Sequence, residues 1–249
     1  MIEIINLHKT FNEGTANEIR ALSGINIKIN TGDFLVIVGA NGSGKTTLLN
    51  LISGNLQLTK GTIKIEGEEL SKLEEYQRSK WIARIFQNPF SGTAPGLSIL
   101  DNFRLAALRT QHKKLTVGIN NDFKKLVAKK ISILNMGLEN KLNQAMGTLS
   151  GGQRQALTLI MAIMDEAKIL LLDEPTASLD PKSSEILMEN VNRIVSEYKL
   201  TSILVTHRMK NAQQYGTRIV QMDQGLIIKD LSREEKARLD VKKIYDWFV

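Results

Sequence analysis

The chain has 249 residues, 42% hydrophobic and 24% charged, enough for one large α/β domain or two small ones with a sizeable core. It has no cysteine, which excludes disulfides and thiolate metal sites and suggests an intracellular setting; its three histidines, His8, His112 and His207, show no metal-ligand spacing. The net charge of +7 suits an anionic ligand, nucleic acid or an acidic membrane surface, although a soluble surface that happens to be basic is the favoured explanation.

The opening residues carry Glu3 and lack the apolar run of a signal peptide. They read instead as antiparallel strands at 2–7 and 25–29, separated by a polar insertion at 12–18. Residues 34–38 are continuously apolar and of strand length, the pattern of a strand buried on both faces. A glycine-rich turn follows, then a helix at 45–53 and short strands at 63–66 and 82–86. From 97 to 164 the chain is helix-rich, with Phe123, Leu126, Val127, Ile131 and Leu134 near helical spacing. Strand signals return at 169–172, 202–205, 218–222 and 226–229, the last two joined by Asp223-Gln224-Gly225 as a hairpin turn. Residues 232–249 look helical: Ser232 and Glu235 fit a capping box, and Val241, Ile244 and Phe248 share a face. No apolar stretch approaches the roughly 20 residues of a membrane helix, so work at a membrane would need a partner to hold the chain there.

Gly39-Ala40-Asn41-Gly42-Ser43-Gly44-Lys45-Thr46 matches G-x-x-x-x-G-K-[ST], followed by Thr47. Glycines let successive amides point at phosphate oxygens, and the next helix aims its positive end at the same anions. Lys45 supplies a point charge, and the Thr46 hydroxyl can ligate Mg²⁺. By composition such a string arises in roughly one chain in a hundred of this length; its place between a buried strand and a helix strengthens the phosphate reading. Residues 169–172 then run into Asp173-Glu174, two carboxylates at the carboxyl end of a strand, where ligands of parallel sheets bind. Asp173 suits Mg²⁺, and Glu174 could take a proton from an attacking water. Alone, such a pair is as readily a solvated strand end. Leu149-Ser150-Gly151-Gly152-Gln153 is a second anion-binding string opening a helix at 153–164, rarer by chance than about one chain in a thousand.

With these strings in place the sequence resembles the ATP-binding-cassette (ABC) ATPase family over nearly its whole length. The resemblance implies an α/β P-loop NTPase core, a parallel sheet flanked by helices, with an N-terminal antiparallel β subdomain and an inserted helical subdomain. It implies one domain over 1–249: an α/β core at 1–88 and 165–231, a helical signature subdomain at 89–164, and a C-terminal helical segment at 232–249. Phe11 resembles the aromatic that stacks on adenine, residues 39–46 the Walker A loop, and Gln87 the Q-loop glutamine between Mg²⁺, attacking water and membrane partner. Residues 149–153 resemble the signature that acts on the partner subunit's ATP. Asp173 and Glu174 resemble the Walker B aspartate and catalytic glutamate, Ala177-Ser178-Leu179-Asp180 the D-loop, and His207 the switch histidine. Singly, Phe11, Gln87 and His207 have ordinary structural explanations; their order along the chain favours the functional one. Expected catalytic residues are thus Glu174, His207, Gln87 and Lys45, and expected metal ligands Thr46, Gln87 and Asp173, with ATP and Mg²⁺ as cofactors.

The family implies a head-to-tail homodimer, or pairing with a similar ATPase subunit, and attachment through permease subunits to the cytoplasmic face of the membrane. One departure follows the signature: Ala156 and Ile160 or Met161 stand where many members carry basic residues. The 87–95 stretch and 158–161 resemble importer ATPases served by an extracytoplasmic substrate-binding protein and a permease of amino-acid type. The insertion at 12–18 and the strand leading into Gln87 resemble lipoprotein-releasing and efflux ATPases instead. The importer reading is taken forward. A role on nucleic acid or ribosomes is disfavoured by the single cassette and the lack of an RNA-binding aromatic motif. Residues 88–105 are the expected permease docking face, with Phe90, Leu97, Leu100 and Phe103 as its apolar contacts.

Overall fold

Two sheets organise the chain in a computed structural model that describes residues 1–108, 118–164, 167–240, 243, 244 and 247. The first is antiparallel. β1 (Ile2–Phe11) pairs with β2 (Ile19–Ile29) on one side and with β4 (Lys60–Ile65) on the other, and β5 (Glu68–Glu69) closes the edge. Both opening strands run longer than their apolar cores suggest. The extra pairs, from His8–Ser23 to Phe11–Ile19, set mostly polar or exposed side chains around the single buried Leu22, which a hydrophobic pattern does not register. Residues 12–18, the polar insertion, are exposed and connect the two strands.

The second sheet has strand order β10-β9-β3-β8-β7-β6. β3 (Phe34–Val38) lies between β8 (Thr201–Val205) and β9 (Arg218–Asp223), and β7 (Ile169–Asp173) lies between β8 and β6 (Ile82–Ile85), all parallel. β10 (Leu226–Leu231) is antiparallel to β9. All residues of β3, β7 and β8 are buried, as apolar runs covered on both faces should be. α1 (Lys45–Ser53) leaves the end of β3, and the short α2 (Glu75–Arg78) precedes β6.

Among the described residues, three α-helices lie between β6 and β7: α3 (Ile99–Ala107), α4 (Asn121–Ser132) and α5 (Gly151–Ala162). Their starts are capped by Ser98, Asn120 and Ser150 side chains, each accepting from an amide one turn on. On α4, Val127 and Ile131 are fully buried, with Leu134 beyond its end, but Leu126 is 45% exposed. It lies one residue off the buried stripe, so the face is narrower than the spacing suggests. α5 starts two residues earlier than its apolar run, because Ser150 caps it and Gly151-Gly152 form its first turn. α6 (Pro181–Glu197) begins with the Asp180 cap and proline at N1. α7 (Met209–Gln214) follows β8, and α8 (Arg233–Ala237) carries the expected Ser232–Glu235 capping box. Ile244 is buried, while Val241 and Phe248, expected on its face, and His112 lie outside the described residues.

The β9–β10 turn is Gln224-Gly225, both at positive φ (44° and 76°), the two-residue turn that suits strand twist. Leu100 and Phe103, expected on a docking surface, are 3% and 0% exposed and pack into the core with α5. Among the described residues no helix is long and apolar enough to cross a membrane.

Candidate active site

The parallel strands β3, β7 and β8 end side by side, and the chemistry-bearing residues hang from those ends. Beyond β3 the loop 39–44 turns into α1. Gly44 sits at φ 99°, and a Cβ there would fall 2.7 Å from the Ala21 carbonyl oxygen, so only glycine fits. Unlike the starts of α3 to α6, that of α1 has no side-chain cap, so its first amides are free to face an anion. Lys45 is 5% exposed, and its ammonium donates to the carbonyls of Gly39 (2.9 Å) and Ala40 (2.8 Å). Burial pushes its pKa down, while Glu174 and Asp173 pull it back up.

Asp173 is the last residue of β7. Its Oδ1 accepts from the Thr46 hydroxyl at 3.2 Å, and its Oδ2 is paired with Arg84 at 2.9 Å. Next in sequence, Glu174 adopts φ 45°, a strained conformation for a residue with a side chain, while its amide donates to the Val205 carbonyl. That turn brings its Oε2 to 2.9 Å from Nδ1 of His207, just beyond β8. His207 and Glu174 are thus in hydrogen-bond contact across 33 residues of sequence.

A cleft of about 800 Å³ opens over this group, lined by Asn41, Lys45, Thr46, Gln87, Glu174 and His207, among others. Phe11 is not in its wall; Phe11's cross-strand partner Ile19, 60% exposed, is, together with Arg20 and Ser23. The Gly225 amide donates to the Ser43 carbonyl and its own carbonyl accepts from the Ser23 amide, so the β9–β10 turn braces the loop from behind.

The string 149–153, expected to bind an anion, stands apart from the cleft: none of its residues lines it. Ser150 and Gln153 bond each other reciprocally at the start of α5, and Leu149 is 7% exposed. Within 177–180, Ser178 donates to the Gln87 carbonyl at 3.3 Å, and Asp180 caps α6. Gln155 of α5 donates to the Phe86 carbonyl at 2.7 Å, so α5 and the 177–180 turn both grip the chain around Gln87.

The post-signature departure is also settled in space. Ala156 and Ile160 are 1% and 0% exposed in the core, and Met161 borders a groove of about 460 Å³ together with Arg84, Ala94, Asn102 and Leu105. Arg84 joins Asp173 to Asn50, a contact that motif reading misses. The available signal was an arginine inside an otherwise apolar strand, where a charge needs a buried partner.

Known proteins resemble the chain in sequence and in fold. The ABC transporter family model matches residues 22–177. The tyrosine transport ATP-binding protein of Clostridioides difficile (strain R20291) is 36% identical, covering 100% of this chain and 98% of the relative. The phosphonates import ATP-binding protein PhnC of Lactococcus lactis subsp. lactis (strain IL1403) is 31% identical over 98% of each. A solved dimeric ATP-binding cassette in a post-hydrolysis state, bound to ADP and Pi, superposes with a TM-score of 0.80 at 27% identity, covering 94% of this chain and 99% of that one. A glycine-rich loop between a buried strand and a helix, a carboxylate pair at the end of another buried strand of the same sheet, and relatives matched end to end lead to one conclusion: the chain belongs to the ABC transporter family, as an ATP-binding subunit that hydrolyses ATP to power transport.

Proposed function

We propose that this subunit drives import through a membrane permease, with Glu174 as the base of hydrolysis and His207 as its orienting partner. The observation carrying the reading is the His207–Glu174 contact at 2.9 Å at the edge of the cleft that Lys45 and Thr46 line. ATP's phosphates would take the amides of residues 41–47 and the Lys45 ammonium. A water aligned by Gln87 and Glu174 attacks the γ-phosphorus and gives its proton to Glu174, and the bond to the ADP oxygen breaks, leaving ADP and Pi. Phe11 lies beside the cleft rather than in its wall, so adenine stacking on it requires the base to reach past Ile19.

The Thr46 hydroxyl and the Asp173 carboxylate, 3.2 Å apart, are hard oxygen donors beside the phosphate loop, a set that fits Mg²⁺, with Gln87 within the same cleft. When bound, the ion supplies charge neutralisation to the phosphates. These residues would hold it in place.

Residues 149–153 stand outside the chain's own cleft, which favours their use on a second subunit's nucleotide in a head-to-tail pair. The dimeric cassette among the solved relatives supports such pairing. Two relatives carry names of tyrosine transport and phosphonate import, which favours the import direction and, with it, an extracytoplasmic substrate-binding protein. Residues 89–164 would form the helical unit that meets the permease, at the groove bordered by Leu105 and Met161. The chain would then work peripherally at the cytoplasmic face of the membrane.

Glu174→Gln tests the core of this reading. Nucleotide binding should persist while hydrolysis slows roughly 10²–10⁴-fold, the range for a positioned base. With Mg-ATP this variant should elute as a dimer in size-exclusion chromatography. Wild-type turnover would remove Glu174 from the mechanism, and a monomer at every protein concentration would remove the shared site.

A further inference from the structure

Arg84 lies inside β6, whose other members Ile82, Ala83 and Ile85 are buried and apolar. Its side chain is only 9% exposed, and the guanidinium reaches two elements at once. Nη2 meets Asp173 Oδ2 at 2.9 Å at the end of β7, while Nη1 donates to Asn50 Oδ1 at 2.6 Å and Ser53 Oγ at 3.4 Å on α1. The Phe86 ring packs on it, with 4.7 Å from guanidinium carbon to ring centre. Asp173 is equally enclosed, with 8% of its side chain exposed.

The result is a divided carboxylate: one oxygen is held by Arg84, and the other is turned to the Thr46 hydroxyl. The terminal torsion of an aspartate is broad, so the side chain alone does not fix which oxygen faces which way. The tether does, because Arg84 is anchored on the same helix, α1, that carries Thr46. We propose that Arg84 is a positioning residue for the metal site, fixing the Asp173 carboxylate so that Oδ1 faces Thr46. This rests on the reading of Thr46 and Asp173 as the Mg²⁺ ligands.

Two effects oppose each other here, and they differ in sign. A guanidinium beside the ligand draws off negative charge, so its removal on Coulomb grounds alone would tighten cation binding. Loss of an orienting partner loosens it, typically about 10–100-fold where outer partners of metal ligands are removed. Orientation dominates in this geometry, because Arg84 bonds only the oxygen turned away from Thr46 and leaves Oδ1 on the side of the Thr46 hydroxyl, where the metal would sit.

The test uses the full chain with a non-hydrolysable ATP analogue and Mn²⁺ as the probe, bound metal being read by electron paramagnetic resonance. Arg84→Gln should weaken Mn²⁺ binding about 10–100-fold, while affinity for the analogue in EDTA changes less than twofold. Arg84→Lys keeps the charge but cannot span Asp173 and Asn50 together, so it should also bind Mn²⁺ more weakly. It serves as the folded variant if the glutamine, which leaves a buried carboxylate unpaired, does not fold. Mn²⁺ affinity equal to or tighter than wild type in either folded variant overturns the proposal. Asp173→Asn separates the premises: if it leaves Mn²⁺ binding unchanged, the metal-site reading itself has failed and the role of Arg84 falls with it.

Discussion

Lys45 concentrates the electrostatics of the site in one side chain. Its ammonium is buried, bonded to two loop carbonyls, and depressed in pKa by that burial, yet two carboxylates face it. Lys45→Ala removes the loop's only side-chain cation and leaves those carbonyls without their donor, so ATP binding or turnover should be abolished in a nucleotide-binding and phosphate-release assay. Hydrolysis at the wild-type rate would reject the assignment. Lys236 is lowered in the same direction, by burial alone. It is 6% exposed, donates to the Tyr215 and Gly216 carbonyls, and is lowered by burial to about 8. A free lysine titrates near 10.4. Between those values the unfolded chain binds the extra proton, so stability rises with pH from about 8 to about 10.4; below 8 the burial penalty is fully present. Thermal unfolding of wild type across that window should therefore show a rise that Lys236→Met reduces, and equal slopes for the two proteins would discount burial as the cause.

At the scale of elements, helix starts carry the argument. Ser150 caps α5 with a reciprocal bond to Gln153, so Ser150→Ala should cost about 1 kcal/mol of stability by loss of the cap. If the string also serves a partner's ATP, turnover at saturating ATP should fall well beyond what that loss explains, while nucleotide affinity of the isolated subunit stays near wild type. A decline matching only the stability change would reduce Ser150 to a cap. The same elements mark how far the sequence could be read. β3 and α1 appear at their expected bounds because a buried apolar run and a glycine-lysine loop are strong local signals. β1 and β2 were visible only in their apolar halves, since the outer pairs are held by backbone bonds. Ile19, Arg20, Ala21 and Ser23 in the cleft wall carry no sequence signal, whereas the motif residues in the cleft were legible one by one. Their meeting, Glu174 against His207 and Thr46 against Asp173, depends on strand order β3-β8-β7, which no local pattern encodes.

For the whole molecule, the open question of chemistry is how a membrane partner feels the nucleotide. The apolar positions expected to meet it divide: Leu100 and Phe103 hold the core together, whereas Phe90 and Leu97 are 60% and 42% exposed, and Leu105 in the same stretch is 55% exposed. Ser91 is half-buried, so a charge there would disturb the fold as well as a contact. Leu105 borders the groove beside Met161 and is the cleaner position. Leu105→Asp should weaken co-purification with the cognate permease while Mg-ATP binding by the isolated subunit is kept. Undiminished assembly would move the docking face elsewhere.

The Gly225 turn ties three distant stretches of chain together: its amide holds the Ser43 carbonyl, and its carbonyl holds the Ser23 amide. A phosphate loop braced in this way has already surrendered its freedom when the protein folds. Ordering a residue costs about 1–2 kcal/mol, so a loop left slack would draw that cost from each round of ATP capture. Here the expense is met once, from the folding free energy. Nucleotide affinity and the integrity of the last hairpin are therefore thermodynamically linked, although the strands of that hairpin supply none of the proposed phosphate contacts.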